Sequence, residues 1–240
     1  MVPDSAATPT VVLVHGAFAD ASGFGGVMRE LIRGGVPTRA PSNPLRGLTV
    51  DSEYLTAVVS AIDGPVVLVG HSYGGAVVGQ IAAELPNVVG LVFLAGFGLD
   101  VGESCLSVQK PFPVTTLSLN VQTTAYRTAA GDVEGPELFV RRSVFRETFC
   151  ADLPVDDAEM MALTQRPVIL PGLAEKCSAV GWSCKPTWYL VSEQDRAVDP
   201  EAQHFMAARM GATTEDIDAS HMAYRSRPVA TAAFIKLALR

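Results

Sequence analysis

The sequence has little cysteine and little histidine, and neither is arranged to hold a metal ion. Four residues of each type occur among 240, the cysteines being Cys105, Cys150, Cys177 and Cys184. No cysteine forms a C-x-x-C pair or lies near histidines with metal-ligand spacing. We therefore expect no metal and no other cofactor. The thiols are expected to be reduced, buried and packed as small hydrophobes, with a Cys177–Cys184 disulfide as the alternative.

Basic residues and long apolar runs are also scarce. The sequence has 18 basic and 25 acidic residues, and its net charge of −7 disfavours nucleic acid and anionic membranes as partners. The longest apolar stretches, such as residues 88–97, fall well short of the roughly 20 needed to cross a bilayer. Residues 1–10 lack the basic and apolar segments of a signal peptide. We expect a cytoplasmic protein with a small-molecule ligand; the oligomeric state stays open, a homodimer included.

The apolar residues that are present, 48% of the chain, are arranged for one α/β domain. Short β-branched or aromatic runs without polar alternation predict strands covered on both faces, as in a parallel sheet. They lie at residues 11–14, 66–69, 88–94 and 188–191. Segments with helical periodicity alternate with these runs, which predicts helices on both faces of the sheet. They lie at residues 25–33, 52–62, 76–85, 200–210 and 228–239.

This alternation stops between residues 100 and 185, where all four cysteines gather. Helical segments are predicted near residues 135–148 and 156–164, without strands between them. We interpret residues 100–185 as a helical lid inserted into a core formed by residues 1–99 and 186–240. Insertions after parallel strands commonly build the ligand crevice of such a sheet. A disordered insertion is the alternative, but the apolar content of the segment argues against it.

One short motif carries the clearest chemical signal. Gly70-His71-Ser72-Tyr73-Gly74 follows a predicted strand and begins a predicted helix, which is the context of a nucleophile elbow. The flanking glycines permit a strained turn that exposes the hydroxyl, and the helix N-terminus offers N–H groups to a developing oxyanion. Ser72 is therefore predicted to be a catalytic nucleophile.

A serine nucleophile needs a histidine base and a carboxylate that orients it, both later in the chain. His221 is the predicted base, because it follows a strand-like run at residues 214–217 while the other histidines precede Ser72, adjoin it or fall within a helix. Asp195 is the preferred carboxylate because it lies just after a strand. Asp199 precedes a proline and is typical of a helix N-cap. Asp100 remains the alternative acid.

Other residues are predicted to bind the substrate. His15-Gly16-Ala17-Phe18 follows the first strand, where this arrangement supplies a second oxyanion donor, so the N–H groups of Ala17 and Tyr73 are expected to form the hole. His15 is expected to anchor the loop. An apolar pocket is predicted from residues that could equally be core packing of the lid. These residues are Phe18, Phe97, Phe149, Trp182 and Met222.

A resemblance to a known family extends across the whole chain. It rests on the motifs above and on Ser192-Glu193-Gln194-Asp195, Ser220-His221-Met222 and the lid segments at residues 145–154 and 165–167. The chain resembles bacterial α/β-hydrolases near the plant methylesterase and hydroxynitrile lyase family. The resemblance implies the α/β-hydrolase fold, a Ser72, Asp195 and His221 triad, and an oxyanion hole at Ala17 and Tyr73. The lyases carry a lysine beside the catalytic histidine and a threonine after the first strand, whereas this sequence has Met222 and Gly16.

These departures favour an esterase or lactonase that acts on a small apolar substrate through an acyl-enzyme. Dehalogenases of this fold have aspartate at the elbow, which Ser72 excludes. Two other functions stay open. A carbon–carbon hydrolase or cofactor-free lyase would use the same triad, and a ligand receptor on a hydrolase frame would bind with negligible turnover.

Overall fold

The computed structural model describes residues 8–127 and 133–240. Residues 1–7, on which part of the signal-peptide expectation rests, and residues 128–132 of the predicted lid lie outside the described residues. The described strands are β1 (Thr10–Val14), β2 (Thr38–Arg39), β3 (Val66–His71), β4 (Val88–Leu94), β5 (Val121–Arg127), β6 (Val133–Val140), β7 (Val168–Ile169), β8 (Thr187–Ser192) and β9 (Thr213–Ile217).

The core is a parallel sheet of six strands in the order β2-β1-β3-β4-β8-β9. Its register pairs Val12 with Leu68 and Leu68 with Leu91, so the apolar runs of β1, β3 and β4 lie side by side. All residues of β3 are buried, as a strand covered on both faces requires. The predicted parallel sheet is confirmed. All carboxyl ends of its strands lie at one edge, where Ser72, Asp195 and His221 follow β3, β8 and β9.

Helices flank this sheet, and none in the described ranges is long and apolar enough to cross a membrane. They are α1 (Gly25–Arg33), α2 (Leu48–Ser60), α3 (Tyr73–Ile81), α4 (Cys105–Val108), α5 (Thr116–Leu119), α6 (Arg142–Phe149), α7 (Val155–Thr164), α8 (Leu170–Ala174), α9 (Pro200–Arg209), α10 (Ala223–Ser226) and α11 (Pro228–Ile235). The predicted helix at residues 25–33 is confirmed at both ends, and that at 200–210 ends one residue earlier.

The segment between β4 and β8 contains a second sheet that the sequence did not predict. Strands β5, β6 and β7 pair antiparallel in that order. The helix predicted near residues 135–148 is therefore wrong over its first half, since β6 extends to Val140 and α6 begins only at Arg142. Pairing of β6 with β5, for example Val140 with Val121, overrides the local helical preference.

The cysteines are all free, so Cys177 and Cys184 do not form the alternative disulfide. Cys105, Cys150 and Cys177 are buried as expected. The expectation is wrong for Cys184, which is exposed. It lies at the end of the short 3-10 helix Gly181–Ser183, a surface connection that precedes β8.

Candidate active site

Ser72 occupies a strained turn between β3 and α3. Its φ of 52° and ψ of −124° are unfavourable for a residue with a side chain. The backbone around it holds this conformation: the Ser72 carbonyl accepts hydrogen bonds from the N–H groups of Gly75 at 2.9 Å and Phe97 at 3.0 Å. The Ser72 N–H donates to the carbonyl of Leu94 at 3.2 Å. Two neighbouring strand ends thus fix the turn that presents the hydroxyl.

Close packing of the backbone around Ser72 leaves no room for a side chain at Gly16 or Gly74. A Cβ on Gly74 would collide with the Val14 carbonyl oxygen, and a Cβ on Gly16 would lie 2.7 Å from the Ser72 Cβ and 2.9 Å from the His71 carbonyl oxygen. The loop after β1 therefore lies directly against the turn that carries Ser72. This contact places Ala17 beside the predicted nucleophile.

The predicted oxyanion donors lie beside Ser72. Ala17, Ser72 and Tyr73 all line the same cavity. The N–H groups of Ala17 and Tyr73 make no hydrogen bond to another described residue. Phe18 follows with a φ of 61°, and its N–H donates to the Arg166 carbonyl at 3.1 Å. Two backbone donors are thus left available to a ligand next to Ser72.

His15 is completely buried and anchors the loop that carries Ala17. Its Nδ1–H donates to the Gly16 carbonyl at 2.9 Å, while its Nε2 accepts from the Asn43 N–H at 2.9 Å. The Asn43 side-chain amide also donates to the His15 carbonyl at 3.1 Å. Burial lowers the pKa of His15 to about 4. The ring is therefore neutral and engaged on both sides, which suits an anchor and not a base.

Asp195 and His221 are brought together as predicted. Nδ1 of His221 lies 2.6 Å from Oδ2 of Asp195, and both side chains are buried completely. Oδ1 of Asp195 accepts from the N–H groups of Ala197 at 2.7 Å and Val198 at 3.0 Å. Nε2 of His221 is buried and has no hydrogen-bond partner among the described residues. The carboxylate therefore directs the imidazole while the other ring nitrogen is left available.

Gln203 belongs to this site but was not predicted from the sequence. Its side-chain N–H₂ donates to Oδ2 of Asp195 at 2.8 Å, and the residue has no exposed surface. On α9 it shares the buried face with Ala202, Met206 and Ala207. A polar amide on an otherwise apolar helix face was the signal that could have identified it.

His71, the neighbour of Ser72, packs against the predicted base. The two imidazole rings are 4.5 Å apart, and Nε2–H of His71 donates to the His221 carbonyl at 3.0 Å. Burial, with a smaller contribution from His221, holds the pKa of His71 well below its ordinary value. His71 is therefore neutral and positions the loop that carries His221.

The Tyr73 side chain ties the elbow to α2. Its hydroxyl donates to Oδ2 of Asp51 at 2.7 Å, and Oδ1 of Asp51 accepts from the Arg46 N–H at 2.9 Å. Burial, reinforced by Asp51, raises the pKa of Tyr73, so the phenol stays protonated and keeps this hydrogen bond. Asp51 is a second buried polar partner that sequence reasoning missed.

The residues set aside as base or acid have other roles. His204 is exposed, with Nε2 2.9 Å from Glu193 and 3.9 Å from Asp216. Asp199 caps α9 by accepting from the Glu201 N–H at 2.9 Å. Asp100 accepts from the Val101 N–H at 2.7 Å and makes no hydrogen bond to His221. Of the candidate carboxylates, only Asp195 meets the imidazole.

A cavity of about 330 Å³ opens beside Ser72. Phe18, Phe97 and Phe149 line it as predicted, and the described lining residues include no charged side chain. Much of the wall comes from the segment between β4 and β8, through α4, α5, β5, β6, α6 and α8. The phenyl ring of Phe149 packs edge-on against Phe18 at 6.0 Å and His221 at 4.9 Å, so it covers the site from the side of the insertion.

Two predicted pocket residues do not line this cavity. The Trp182 indole N–H donates to the Leu99 carbonyl at 2.9 Å, and its 3-10 helix packs against the C-terminal end of α3, whereas Ser72 lies at the other end. Met222 is fully buried and lines a separate cavity of about 190 Å³, which also contacts Phe18. The prediction is thus wrong for Trp182 and Met222 as walls of the cavity at Ser72.

Comparison with known proteins agrees with this architecture. Methylesterase 2 of Arabidopsis thaliana is 25% identical over 214 residues, which cover 81% of each chain. The crystal structure of polyneuridine aldehyde esterase superposes with a TM-score of 0.81 at 23% identity, covering 95% of this chain and 98% of that one. A pyrethroid hydrolase from Sphingobium faniae JZ-2 gives a TM-score of 0.78 at 20% identity, covering 97% and 98%. The model of the alpha/beta hydrolase family matches residues 11–234, and the chain belongs to this family.

Proposed function

We propose that this protein is a serine esterase or lactonase that cleaves a small, uncharged, apolar substrate through an acyl-enzyme. Ser72 is the nucleophile, His221 the base and Asp195 the orienting carboxylate. The observation that carries the proposal is the strained Ser72 turn, with its φ of 52°, at the wall of a cavity whose described lining residues carry no charge. Relatives named methylesterase and pyrethroid hydrolase support ester cleavage.

The proposed reaction has two steps. His221 takes the proton of the Ser72 hydroxyl at Nε2 as Ser72 attacks the substrate carbonyl, and the N–H groups of Ala17 and Tyr73 bind the oxyanion. Collapse of this intermediate expels the alcohol, which receives the proton from His221. Water, deprotonated by His221, then attacks the acyl-enzyme, releases the carboxylic acid and restores Ser72.

We assign residues 100–185 as the lid of this site and residues 1–99 with 186–240 as the catalytic core. The lid supplies most of the apolar cavity wall, including Leu138 and Phe149. It is also attached to the core beside the reacting groups. The Ser220 hydroxyl, next to His221, donates to Asp152, and the Arg166 carbonyl accepts from Phe18. Substrate choice is therefore expected to depend on the lid, and bond cleavage on the core.

The proposal is tested by comparing Ser72→Ala with the wild-type protein on p-nitrophenyl esters and a panel of lactones. We expect Ser72→Ala to lose several orders of magnitude in kcat and to lose covalent labelling by a fluorophosphonate, read by intact mass. Ser118→Ala is the matched control, because Ser118 lines the same cavity but its hydroxyl donates to the Thr115 carbonyl. Undiminished turnover by Ser72→Ala would falsify the assignment.

A further inference from the structure

The amide of Gln203 is buried at the point where β8, α9 and Asp195 meet. Its Nε2 donates to Oδ2 of Asp195 and to the carbonyl of Val198, both at 2.8 Å. Its Oε1 accepts from the Ser192 N–H at 3.0 Å. Both amide hydrogens and the amide oxygen are therefore in use. Because the Ser192 N–H can only donate, the oxygen must face it, and the orientation of the amide is fixed.

This amide acts on the oxygen of Asp195 that contacts the base. Oδ1 is held by two backbone N–H groups, whereas Oδ2 has only the side chains of Gln203 and His221 as donors among the described residues. Backbone donors thus fix one end of the carboxylate, and Gln203 fixes the end that meets the imidazole. Without Gln203, a lone pair of Oδ2 would be left unsatisfied in a site closed to water.

We propose that Gln203 is a positioning residue, which holds Oδ2 of Asp195 against His221. Its hydrogen bond also reduces the electrostatic stabilisation that Oδ2 gives to a protonated imidazole. This inference rests on the proposed function, because it assigns a role in preparing His221 as the base. A donor that binds the carboxylate competes with the imidazolium for its charge. Gln203 therefore favours the neutral form of His221 that can accept the Ser72 proton.

The other groups around His221 leave Asp195 as its charged partner among the described residues. From β3, His71 is neutral because burial lowers its pKa. Tyr189 on β8 stays protonated because burial and Asp195 raise its pKa. From the insertion, Phe149 is apolar, and Asp152 accepts instead from the hydroxyl of Ser220. A change in the hydrogen bonding of Asp195 should therefore directly alter the electrostatic environment of the imidazole.

The test replaces Gln203 with methionine, which has a similar length but no hydrogen-bonding amide. We expect the midpoint of the His221 titration, followed by NMR on protein with labelled histidine, to rise. The acid limb of the kcat/KM profile for p-nitrophenyl butyrate should move in the same direction. At neutral pH, kcat should fall about 10- to 100-fold with little change in KM, a loss similar to that found when residues that orient metal ligands are replaced.

Two further variants separate positioning from folding. Gln80→Met removes the hydrogen bonds that a half-buried amide makes with Ser52 and Ser178 but lies away from Asp195, and it should keep the wild-type titration and pH profile. Gln203→Glu keeps one donor while its carboxyl is protonated. Its His221 signals should resemble those of the wild type at acidic pH and depart from them as pH rises. This variant also tests the inference if Gln203→Met does not fold.

The outcomes distinguish this inference from the proposed function. A folded Gln203→Met protein with the wild-type His221 titration overturns the role of Gln203, even if Ser72-dependent ester cleavage is intact. Loss of activity with an unchanged titration midpoint and a raised KM also overturns it, since that pattern indicates altered binding. A shifted titration in Gln203→Met, when the wild-type protein itself cleaves no ester, supports the positioning and rejects the proposed reaction.

Discussion

Nδ1 of His221 lies 2.6 Å from Oδ2 of Asp195, and neither side chain has any exposed surface. The contact joins the loops after β8 and β9, which are adjacent strands of the sheet. Because Nδ1 faces the carboxylate, it carries the proton of the neutral ring, and Nε2 has a free lone pair. The hydrogen bond therefore selects the tautomer that a base for Ser72 needs.

Replacing Asp195 with asparagine should abolish this selection. The asparagine amide can present its N–H₂ to Nδ1, which favours the opposite tautomer and places the ring proton on Nε2. We expect kcat for p-nitrophenyl butyrate to fall about 10³- to 10⁴-fold while KM changes little. Steady-state kinetics measure the loss, and circular dichroism verifies the fold.

Asp100→Asn provides the matched control, because Asp100 was the alternative acid and its carboxylate accepts only from its own loop among the described residues. It should retain wild-type kcat. A large loss in Asp100→Asn with little effect in Asp195→Asn would reverse the assignment of the orienting carboxylate.

The sequence predicted the core of the fold and the placement of Ser72, Asp195 and His221 at one edge of the sheet because the signals for them are local. Ser72 lies in a short motif between a strand and a helix, and Asp195 and His221 directly follow strands. Parallel strands bring their carboxyl ends to one edge, so chain order was enough to place these residues together. No distant pairing had to be known.

Long-range pairing explains what could not be predicted. The register of β5 against β6 joins Val121 to Val140, and neither segment alone shows which partner it will find. The cavity wall depends on that pairing, so Trp182 could not be separated from Phe149 as a lining residue. Gln203 was missed because its partner Asp195 is met only after α9 packs against β8.

The close approach of Gly16 to Ser72 predicts that Gly16→Ala is damaging. The added methyl would lie 2.7 Å from the Ser72 Cβ, so the loop that carries Ala17 must move away from the elbow. We expect kcat to fall about 10²- to 10³-fold, comparable to loss of an oxyanion donor. The unfolding free energy should fall by about 1–3 kcal/mol from overpacking.

Gly25→Ala is the control for this substitution. The nearest atom to a Cβ at Gly25 is 3.6 Å away on the flexible side chain of Arg29, and its φ of −53° is helical. Kinetics and denaturant unfolding should match those of the wild type. Full activity in Gly16→Ala would show that the loop after β1 has no part in the reaction.

The cavity wall supplied by α8 should control the size of the accepted substrate. Leu173 lines the cavity, so tryptophan at this position fills part of the 330 Å³. We expect kcat/KM for p-nitrophenyl octanoate to fall at least about 10-fold relative to that for the acetate, because only the longer acyl group needs the space. Kinetics on a chain-length series measure the ratio.

Leu163→Trp makes the same change on the surface, since Leu163 is 55% exposed on α7. Its chain-length preference should remain that of the wild type. If Leu173→Trp lowers activity equally on every ester, the cavity does not hold the acyl group.

The neutral, buried state of His15 predicts a loss of stability on acidification. Its pKa is lowered by burial from 6.5 to about 4, so the unfolded chain takes up a proton at higher pH than the folded protein does. The stabilisation is complete above the unfolded pKa of about 6.5 and is lost as pH falls towards 4. His15 should account for a decrease of about 3 kcal/mol in the unfolding free energy over this range.

Urea unfolding at pH 7 and pH 4 measures this effect in the wild type and in His15→Gln. The variant loses the hydrogen bonds of the ring, so it should be less stable at pH 7, but its stability should fall less steeply with pH. His204→Gln, which replaces an exposed histidine, is the matched control. Suppose that the unfolding free energy depends on pH with the same slope in the wild type and in His15→Gln. His15 would then not hold its neutral form in the folded protein. Its hydrogen bond from Asn43 could then not anchor the loop that carries Ala17.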